Sequence, residues 1–328
     1  MDAGRLSPAP AEMAAETRVL LTIDTALYGP RVADGAQWQA AYDRSYQAAG
    51  VGVGYQLRIL AQYALKACFF VDPMPACAYG IEPIRHMVDP ILEAGQEVQL
   101  HLYPFRADPG GDHGRDEGGL AHYDAQAQRD LIDRARDLLM EAGAPDPVAF
   151  RAGDYSANDD TLRALADLGL RFDSSHNGHR HPRPSAIGLP REQIAPVLHQ
   201  GVTEVPVTLI AEGRGARALQ IRAVSLGEIK AAILHAADHG LPIVTIAAHS
   251  FDLANRAGTA PNRILVKRFE DLCAFLSMER RRFPTAFFTE LDDLPLDRPS
   301  VLLPSAGLRR MGRAIEQIWS DRIEERAP

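Results

Sequence analysis

Residues capable of acid–base or metal chemistry stand at the downstream ends of several apolar runs in this chain. The residues that end these runs are Asp24, His101, Arg151, His249 and Glu290. They offer carboxylates that can accept a proton or bind a cation, imidazoles that can also donate a proton, and a guanidinium that can hold an anion. Because so many of these groups end an apolar run, the pattern predicts an active site rather than unrelated polar residues.

The apolar runs themselves are typical of short strands joined by helices. Predicted strands cover residues 18–24, 67–71, 97–101, 147–151, 170–173, 202–209, 243–248 and 285–290. Stretches with apolar residues at helical spacing lie between most of them. This order predicts an α/β fold in which parallel strands close into a barrel. In such a barrel the functional face lies at the carboxyl ends of the strands, so we expect the polar residues at one cavity.

Length and composition suggest how the chain is organised. We expect residues 1–16 to form a disordered leader, 17–295 to form the barrel, and 296–328 to form an extension that contains a helix. The leader lacks the positive start and apolar stretch of a signal peptide. No stretch approaches the roughly 18 apolar residues of a membrane helix. We therefore expect no membrane span.

Charge and cysteine content exclude further classes of protein. The formal net charge is −8 at pH 7, so no overall basic field attracts nucleic acid. Cys68, Cys77 and Cys273 show neither a disulfide framework nor the spacing of metal ligands. These features favour a cytoplasmic protein without a nucleic-acid partner.

Within this frame, the motifs resemble those of the polysaccharide deacetylases, carbohydrate esterase family 4. The resemblance runs from Arg18 to Glu290 and keeps the order of the family's motifs. The matching segments are LTIDT (21–25), QLHLYP (99–104), FRAGDY (150–155), FDSS (172–175) and AHSF (248–251). The resemblance implies a distorted (β/α) barrel of about seven or eight parallel strands. It also implies hydrolysis of the amide bond in an N-acetylated saccharide or a related small molecule.

The resemblance further implies a divalent metal and a role for each motif residue. Asp24 and His101 are expected to bind the metal, and this donor set suits zinc. The metal would polarise the amide carbonyl and lower the pKa of bound water toward about 7. His249 is expected to give a proton to the leaving amine. Arg151 would hold the carboxylate that acts as base, or would pair with Asp173.

Two positions depart from the family pattern. The second aspartate of the first motif, the usual base, is Thr25 here. The second metal-binding histidine is replaced by Phe105 at one family spacing and by Tyr103 at the other. Replacement bases could be Asp154, Asp173 or Glu290. Replacement ligands could be His113, His122, His176, His179 or His181, although the last three are expected to lie on a solvated loop.

Because of these departures, the same residues are also compatible with a protein that has no catalytic activity. The chain could be an inactive barrel that binds a saccharide without hydrolysing it. Asp24 could simply cap a turn, and His101 could be a core histidine with its hydrogen bonds satisfied. Arg151 and Asp173 could form a purely structural pair, costly to break but without chemistry.

Overall fold

The large sheet of the protein is mostly parallel and curls into a half-barrel. The computed structural model describes residues 16–27, 38–104, 119–179, 185–213, 215–296 and 298–320. The strands are β1 (Arg18–Thr25), β2 (Cys68–Val71), β3 (Glu97–Leu102), β4 (Ala149–Ala152), β5 (Phe172–Asp173), β6 (Val197–His199), β7 (Val202–Glu204), β8 (Leu209–Glu212), β9 (Gly215–Ala218) and β10 (Ile243–His249). The large sheet has the order β10-β1-β2-β3-β4-β5-β7-β6, and β8 pairs with β9 separately. Only β6 is antiparallel to its neighbour in the large sheet, so the predicted distorted (β/α) barrel is confirmed.

Helices connect the parallel strands. They are α1 (Gln39–Tyr42), α2 (Val53–Tyr63), α3 (Ala76–Tyr79), α4 (Glu82–Glu93), α5 (Ala125–Glu141), α6 (Asp159–Asp167), α7 (Leu226–Asp238), α8 (Arg263–Met278) and α9 (Gly307–Trp319). Asn158 caps α6, because its side chain accepts a hydrogen bond from the backbone N–H of Thr161. Helix α4 packs on β2 and β3 and fully buries Ile84, Val88 and Ile91. Its apolar stripe therefore covers one face of the sheet.

Strand β1 has a neighbouring strand on each side, and its sequence is apolar on both faces. Val19, Leu20, Leu21 and Ile23 are all buried, as is usual for parallel strands covered on both sides. The strand pairs with β10 on one edge and with β2 on the other. It therefore carries Asp24 to the carboxyl end of the sheet, between two neighbouring strands.

The predicted strand 285–290 is wrong. Thr285 forms only an isolated parallel bridge to Val19, and Phe288–Glu290 is a 3-10 turn. The carboxylate of Glu97 accepts hydrogen bonds from the backbone N–H groups of Phe288 and Thr289. These bonds stabilise a turn at the point where the sequence pattern indicated a strand.

The predicted strand 202–209 is correct only at its two ends. Strand β7 ends at Glu204, and β8 begins in a different sheet. Pro206 lies between them and has no N–H for a sheet ladder. Within the crossing segment, residues 205–208, the N–H of Val205 donates to the carbonyl of Asp173 in β5, and the N–H of Thr208 donates to the carbonyl of Thr245 in β10. The crossing segment therefore links β5 to β10.

The chain termini are described only in part. Residues 1–15 of the expected leader and residues 321–328 of the expected extension lie outside the described residues. Within the extension, Arg313 of α9 donates to Glu228 at 2.7 Å and also pairs with Glu212. The division into leader, barrel and extension stays a prediction. None of the described helices is both long and apolar enough to cross a membrane.

Candidate active site at the carboxyl ends of the strands

The carboxyl ends of β1, β3, β4 and β10 bring four of the predicted residues together. Asp24 is the register partner of His249, and His101 is the register partner of Arg151. Burial opposes the charge of Asp24, but the positive charge of Arg151, followed by the interactions with His101 and His249, holds the pKa of its carboxyl below the usual value. All four side chains therefore belong to one electrostatic site.

Asp24 and Arg151 form a buried ion pair across the sheet. Arg151 Nη1 donates to Asp24 Oδ1 at 2.7 Å. Asp24 is 4% exposed and Arg151 is fully buried, so water screens their attraction little. The sequence suggested that Arg151 would hold a base carboxylate or Asp173, but its ion-pair partner is Asp24, the expected metal ligand.

The remaining contacts of Arg151 fix its guanidinium in place. Nη1 also donates to the hydroxyl of Thr22 at 2.9 Å. Nε donates to the carbonyl of Ser174 at 3.1 Å, and Nη2 donates to its hydroxyl at 2.8 Å. The guanidinium carbon lies 4.4 Å from the centre of the Phe70 ring, within the range of a cation–π contact. Arg151 is therefore held by β1, β2 and the residue after β5.

His101 presents one nitrogen without a partner. Its Nδ1 donates to the backbone carbonyl of Arg151 at 2.7 Å, which leaves Nε2 as the acceptor of the neutral ring. Nε2 is buried and has no hydrogen-bond partner among the described residues. Burial lowers the pKa of His101 to about 4, so the ring is neutral near pH 7. The interpretation of His101 as a satisfied core histidine is therefore not supported.

His249 is oriented by a carboxylate that follows it in the chain. Its Nδ1 lies 3.3 Å from Asp252 Oδ2, and its backbone N–H donates to the same oxygen at 2.9 Å. Burial opposes the charge on the ring, but Asp252, and then Asp24, raise the pKa of His249 to about 9. The side chain of His249 is 26% exposed. It therefore reaches solvent in its protonated form.

Asp173 belongs to a second, fully buried group. Its carboxylate accepts hydrogen bonds from the hydroxyl of Ser175 at 2.7 Å and from the N–H of Ser175 at 3.1 Å. It also shares a hydrogen bond with Glu204, its register partner on β7. Burial, followed by the charge of Asp173, raises the pKa of Glu204 well above its usual value. We therefore assign the shared proton to Glu204, and Asp173 is the acceptor.

Two of the proposed replacement bases lie in other surroundings. Asp154 is exposed, and its Oδ1 lies 3.5 Å from the hydroxyl of Tyr103. Glu290 pairs with Lys66, and its carbonyl accepts a 2.9 Å hydrogen bond from Arg18. Because Arg18 begins β1, Glu290 lies at the opposite end of that strand from Asp24. A base role for Glu290 is therefore wrong, and a role for Asp154 stays a prediction.

The histidines suggested as replacement ligands are engaged elsewhere or lie outside the described residues. His176 is 2% exposed, which corrects the expectation of a solvated loop at that position. Its Nε2 donates to the carbonyl of Pro190, and its Nδ1 accepts from Ser185. His179 Nδ1 bonds the carbonyl of Ala216, and His122 Nδ1 bonds that of Gly119. His113, His181 and Phe105 lie outside the described residues.

The donors near Asp24 do not complete the expected zinc site. Structural and catalytic zinc sites use three or four protein ligands. Asp24 Oδ1 is bound to Arg151, and the ring of Tyr103 packs edge-on against His101 with its hydroxyl near Asp154. The described part of the chain contains no group of three His, Cys, Asp or Glu residues that could hold a metal. The expectation of zinc on Asp24 and His101 therefore has no matching ligand set there.

The structure also identifies polar residues that the sequence reasoning missed. Asp252 orients His249, and Glu204 pairs with Asp173. Asp72 directly follows β2, is buried, and accepts a hydrogen bond from the N–H of Met74. Asp72 shows the same signal as Asp24, a polar residue at the end of an apolar run. Asp252 and Glu204 carry no such clear signal.

Comparisons with known proteins agree with this architecture. No family model matches the chain. A peptidoglycan deacetylase-like protein of Gibberella zeae is 27% identical over 140 residues, which is 42% of this chain and 36% of that relative. The chain thus matches little more than a third of the relative's length.

Solved structures are similar over most of the chain. A protein of Mycobacterium smegmatis described as a candidate polysaccharide deacetylase is 19% identical with a TM-score of 0.57, covering 93% of this chain and 100% of that one. A 4-alpha-glucanotransferase of Thermococcus litoralis is 14% identical with a TM-score of 0.54, covering 89% of this chain and 42% of that one. At these identities the likeness concerns the fold. The chain shares its fold with the candidate polysaccharide deacetylase of Mycobacterium smegmatis, as its ordered motifs predicted.

Proposed function

We propose that this chain is a hydrolase that removes the acetyl group from an N-acetylated saccharide. The observation that carries the proposal is the convergence of Asp24, His101 and His249 at one sheet end, with the two histidines in opposite protonation states. A site that holds both a proton acceptor and a proton donor near neutral pH is suited to hydrolysis of an amide.

In the proposed reaction, a water molecule attacks the carbonyl carbon of the N-acetyl group. The carboxylate of Asp24 is the acceptor for the proton of that water, and Arg151 keeps the carboxylate ionised. Nε2 of His101 can accept a second hydrogen bond and orient the water or the substrate. Asp24 is thus reassigned from expected metal ligand to proposed base.

His249 is the proposed acid. Once the tetrahedral intermediate has formed, the carbon–nitrogen bond breaks and the departing amine takes the proton of His249. Asp252 supports this role because it orients the ring and favours its charged form. The products are acetate and a free amino sugar. The proposal contains no step that depends on a metal.

The alternative is a barrel that binds a saccharide without hydrolysing it. The small exposed fraction of Asp24, 4%, favours this alternative because water must reach the base. The test is to incubate the full chain with N-acetylglucosamine oligosaccharides and with peptidoglycan fragments, and to measure released acetate. Peptidoglycan fragments are included because the relative from Gibberella zeae is described as peptidoglycan deacetylase-like.

We expect acetate release by the wild type and a loss of about 10²–10⁴-fold in His249→Gln. Saccharide binding measured by calorimetry should survive that substitution. If the wild type binds a saccharide but releases no acetate, with or without added Zn²⁺ or Co²⁺, the binding alternative is correct and the hydrolase proposal is wrong.

A further inference from the structure

We propose that the Asp24–Arg151 ion pair takes the place of a metal cofactor, so that this site binds no resident divalent cation. The ion pair lies in the site of the proposed hydrolase, and what it implies for catalysis rests on the proposed function. The ion pair itself can be tested without any measurement of activity.

Arg151 already supplies the cation that the buried carboxylate of Asp24 needs. Asp24 is taken out of water and would be costly to bury alone. Arg151 compensates its charge at 2.7 Å. A metal ion is therefore not needed to compensate the negative charge of Asp24.

Arg151 is also held too firmly to move aside easily. All three of its guanidinium nitrogens donate hydrogen bonds, and the ring of Phe70 lies beneath the group. The side chain is fully buried. A divalent ion that displaced it from Asp24 would leave a buried guanidinium without a counter-ion, which is strongly unfavourable.

A metal ion could instead bind Asp24 only beside Arg151, without displacing it. Such an ion would lie close to the fixed positive charge of the guanidinium, and like charges repel strongly away from water. Within the described ranges, the nitrogen that is buried beside Asp24 without a hydrogen-bond partner is Nε2 of His101, and no group of three His, Cys, Asp or Glu residues completes a ligand set there. The hydroxyl of the neighbouring Tyr103 lies toward Asp154 and supplies no ligand to complete the set.

The wild-type protein gives a direct test. The full chain is purified, its metal content is measured by mass spectrometry, and its Tm is recorded with excess ZnCl₂, CoCl₂ or EDTA. We expect no stoichiometric metal and a change in Tm of less than about 1 °C in each condition. One equivalent of metal that EDTA removes with a clear loss of Tm, and that His101→Asn no longer binds, would overturn the proposal.

A variant gives the converse test. In Arg151→Met, Asp24 loses its counter-ion, and Zn²⁺ is then expected to raise the Tm by several degrees, because a ligand that binds only the folded state stabilises it. The matched control is Arg136→Met, which removes a surface arginine paired with Asp146 at 2.6 Å. Zn²⁺ should leave the Tm of this control unchanged. If Arg151→Met fails to fold, the wild-type measurements decide the question alone.

Acetate release separates this proposal from the proposed function. Release that is unchanged by EDTA supports both. A metal-free protein that releases no acetate ends the proposed function and leaves the ion-pair inference standing. Release that requires added Zn²⁺ overturns the ion-pair inference and leaves the proposed function standing.

Discussion

His101 donates a 2.7 Å hydrogen bond from Nδ1 to the backbone carbonyl of Arg151, the residue whose side chain neutralises Asp24. One residue of β4 therefore fixes both the tautomer of the histidine and the charge of the carboxylate. The hydrogen bond leaves the lone pair of His101 Nε2 available, and the ion pair keeps Asp24 ionised.

Two substitutions of His101 separate the contributions of its two ring nitrogens. Asn can reproduce the Nδ1 donor but has no counterpart of Nε2, whereas Gln places its amide near Nε2 and loses the Nδ1 hydrogen bond. We expect His101→Asn to keep the Tm of the wild type and to lose acetate release. His101→Gln should lose about 1 kcal/mol of stability as well. Chemical denaturation and the acetate assay check both, and full activity in His101→Asn would contradict a role for Nε2.

The ion pair should show strong coupling between its partners. Arg151→Met or Asp24→Asn alone should each destabilise the fold by about 3–5 kcal/mol, because each leaves a buried charge without compensation. The double variant should lose clearly less than the sum of the two. Urea denaturation of the four proteins measures the coupling. Additive losses would show that the 2.7 Å contact contributes little.

The pH dependence of the reaction should report on His249. Its pKa of about 9 means that the proton it donates is lost as the pH rises past that value, so acetate release should fall above about pH 9. Asp252→Asn removes the main group that raises this pKa, and the alkaline limit should move toward 6.5, the ordinary value for histidine. An unchanged limit in Asp252→Asn would rule out His249 as the acid whose ionisation is observed.

The protonation of His249 should also affect the free energy of unfolding. Because the folded state raises the pKa of His249, its contribution is fully present below pH 6.5 and is lost as the pH rises through about 9. With its side chain 26% exposed, we expect a loss on the order of 2 kcal/mol across this range. Comparison with His249→Gln by denaturation at pH 6 and pH 10 isolates this contribution.

The buried carboxyl pair makes a prediction of the same sign, because the folded state raises the pKa of Glu204 as it does that of His249. Glu204 has a raised pKa and is protonated in the folded state, so its folding contribution is present at low pH and falls as the pH rises above the usual value for glutamate. Glu204→Gln keeps a neutral side chain of similar shape. We expect its Tm at pH 8 to equal or exceed that of the wild type. Asp173→Asn, the matched control, should lose about 1–3 kcal/mol because it disturbs hydrogen bonds with Ser175 and Glu204.

The parts of the site that the sequence predicted are those that depend on local pattern. Asp24, His101 and His249 each follow an apolar run, and the parallel order of the strands places such residues at one end of the sheet. Asn158 is recognisable as a helix cap because a cap is likewise a local feature. The same reasoning fails at 285–290, where the distant carboxylate of Glu97 stabilises a turn.

The choice of partners could not be predicted from the sequence. Arg151 was expected to hold a base carboxylate or Asp173, and its pairing with Asp24 instead depends on how β1, β4 and β5 are arranged in the sheet. Glu204 was missed because the apolar residues on both sides of it suggested one long strand, whereas Pro206 divides that stretch. Asp252 lies in a turn, where no periodic pattern marks an inward-facing residue.

Strand β1 receives its two neighbours from very different parts of the chain. During synthesis, β2 follows soon after it, whereas β10 begins only at Ile243. One edge of an apolar strand therefore remains unpaired on the ribosome until most of the chain has been made. Asp24 can meet Arg151 before it meets His249, so we expect catalytic competence to arise late in assembly.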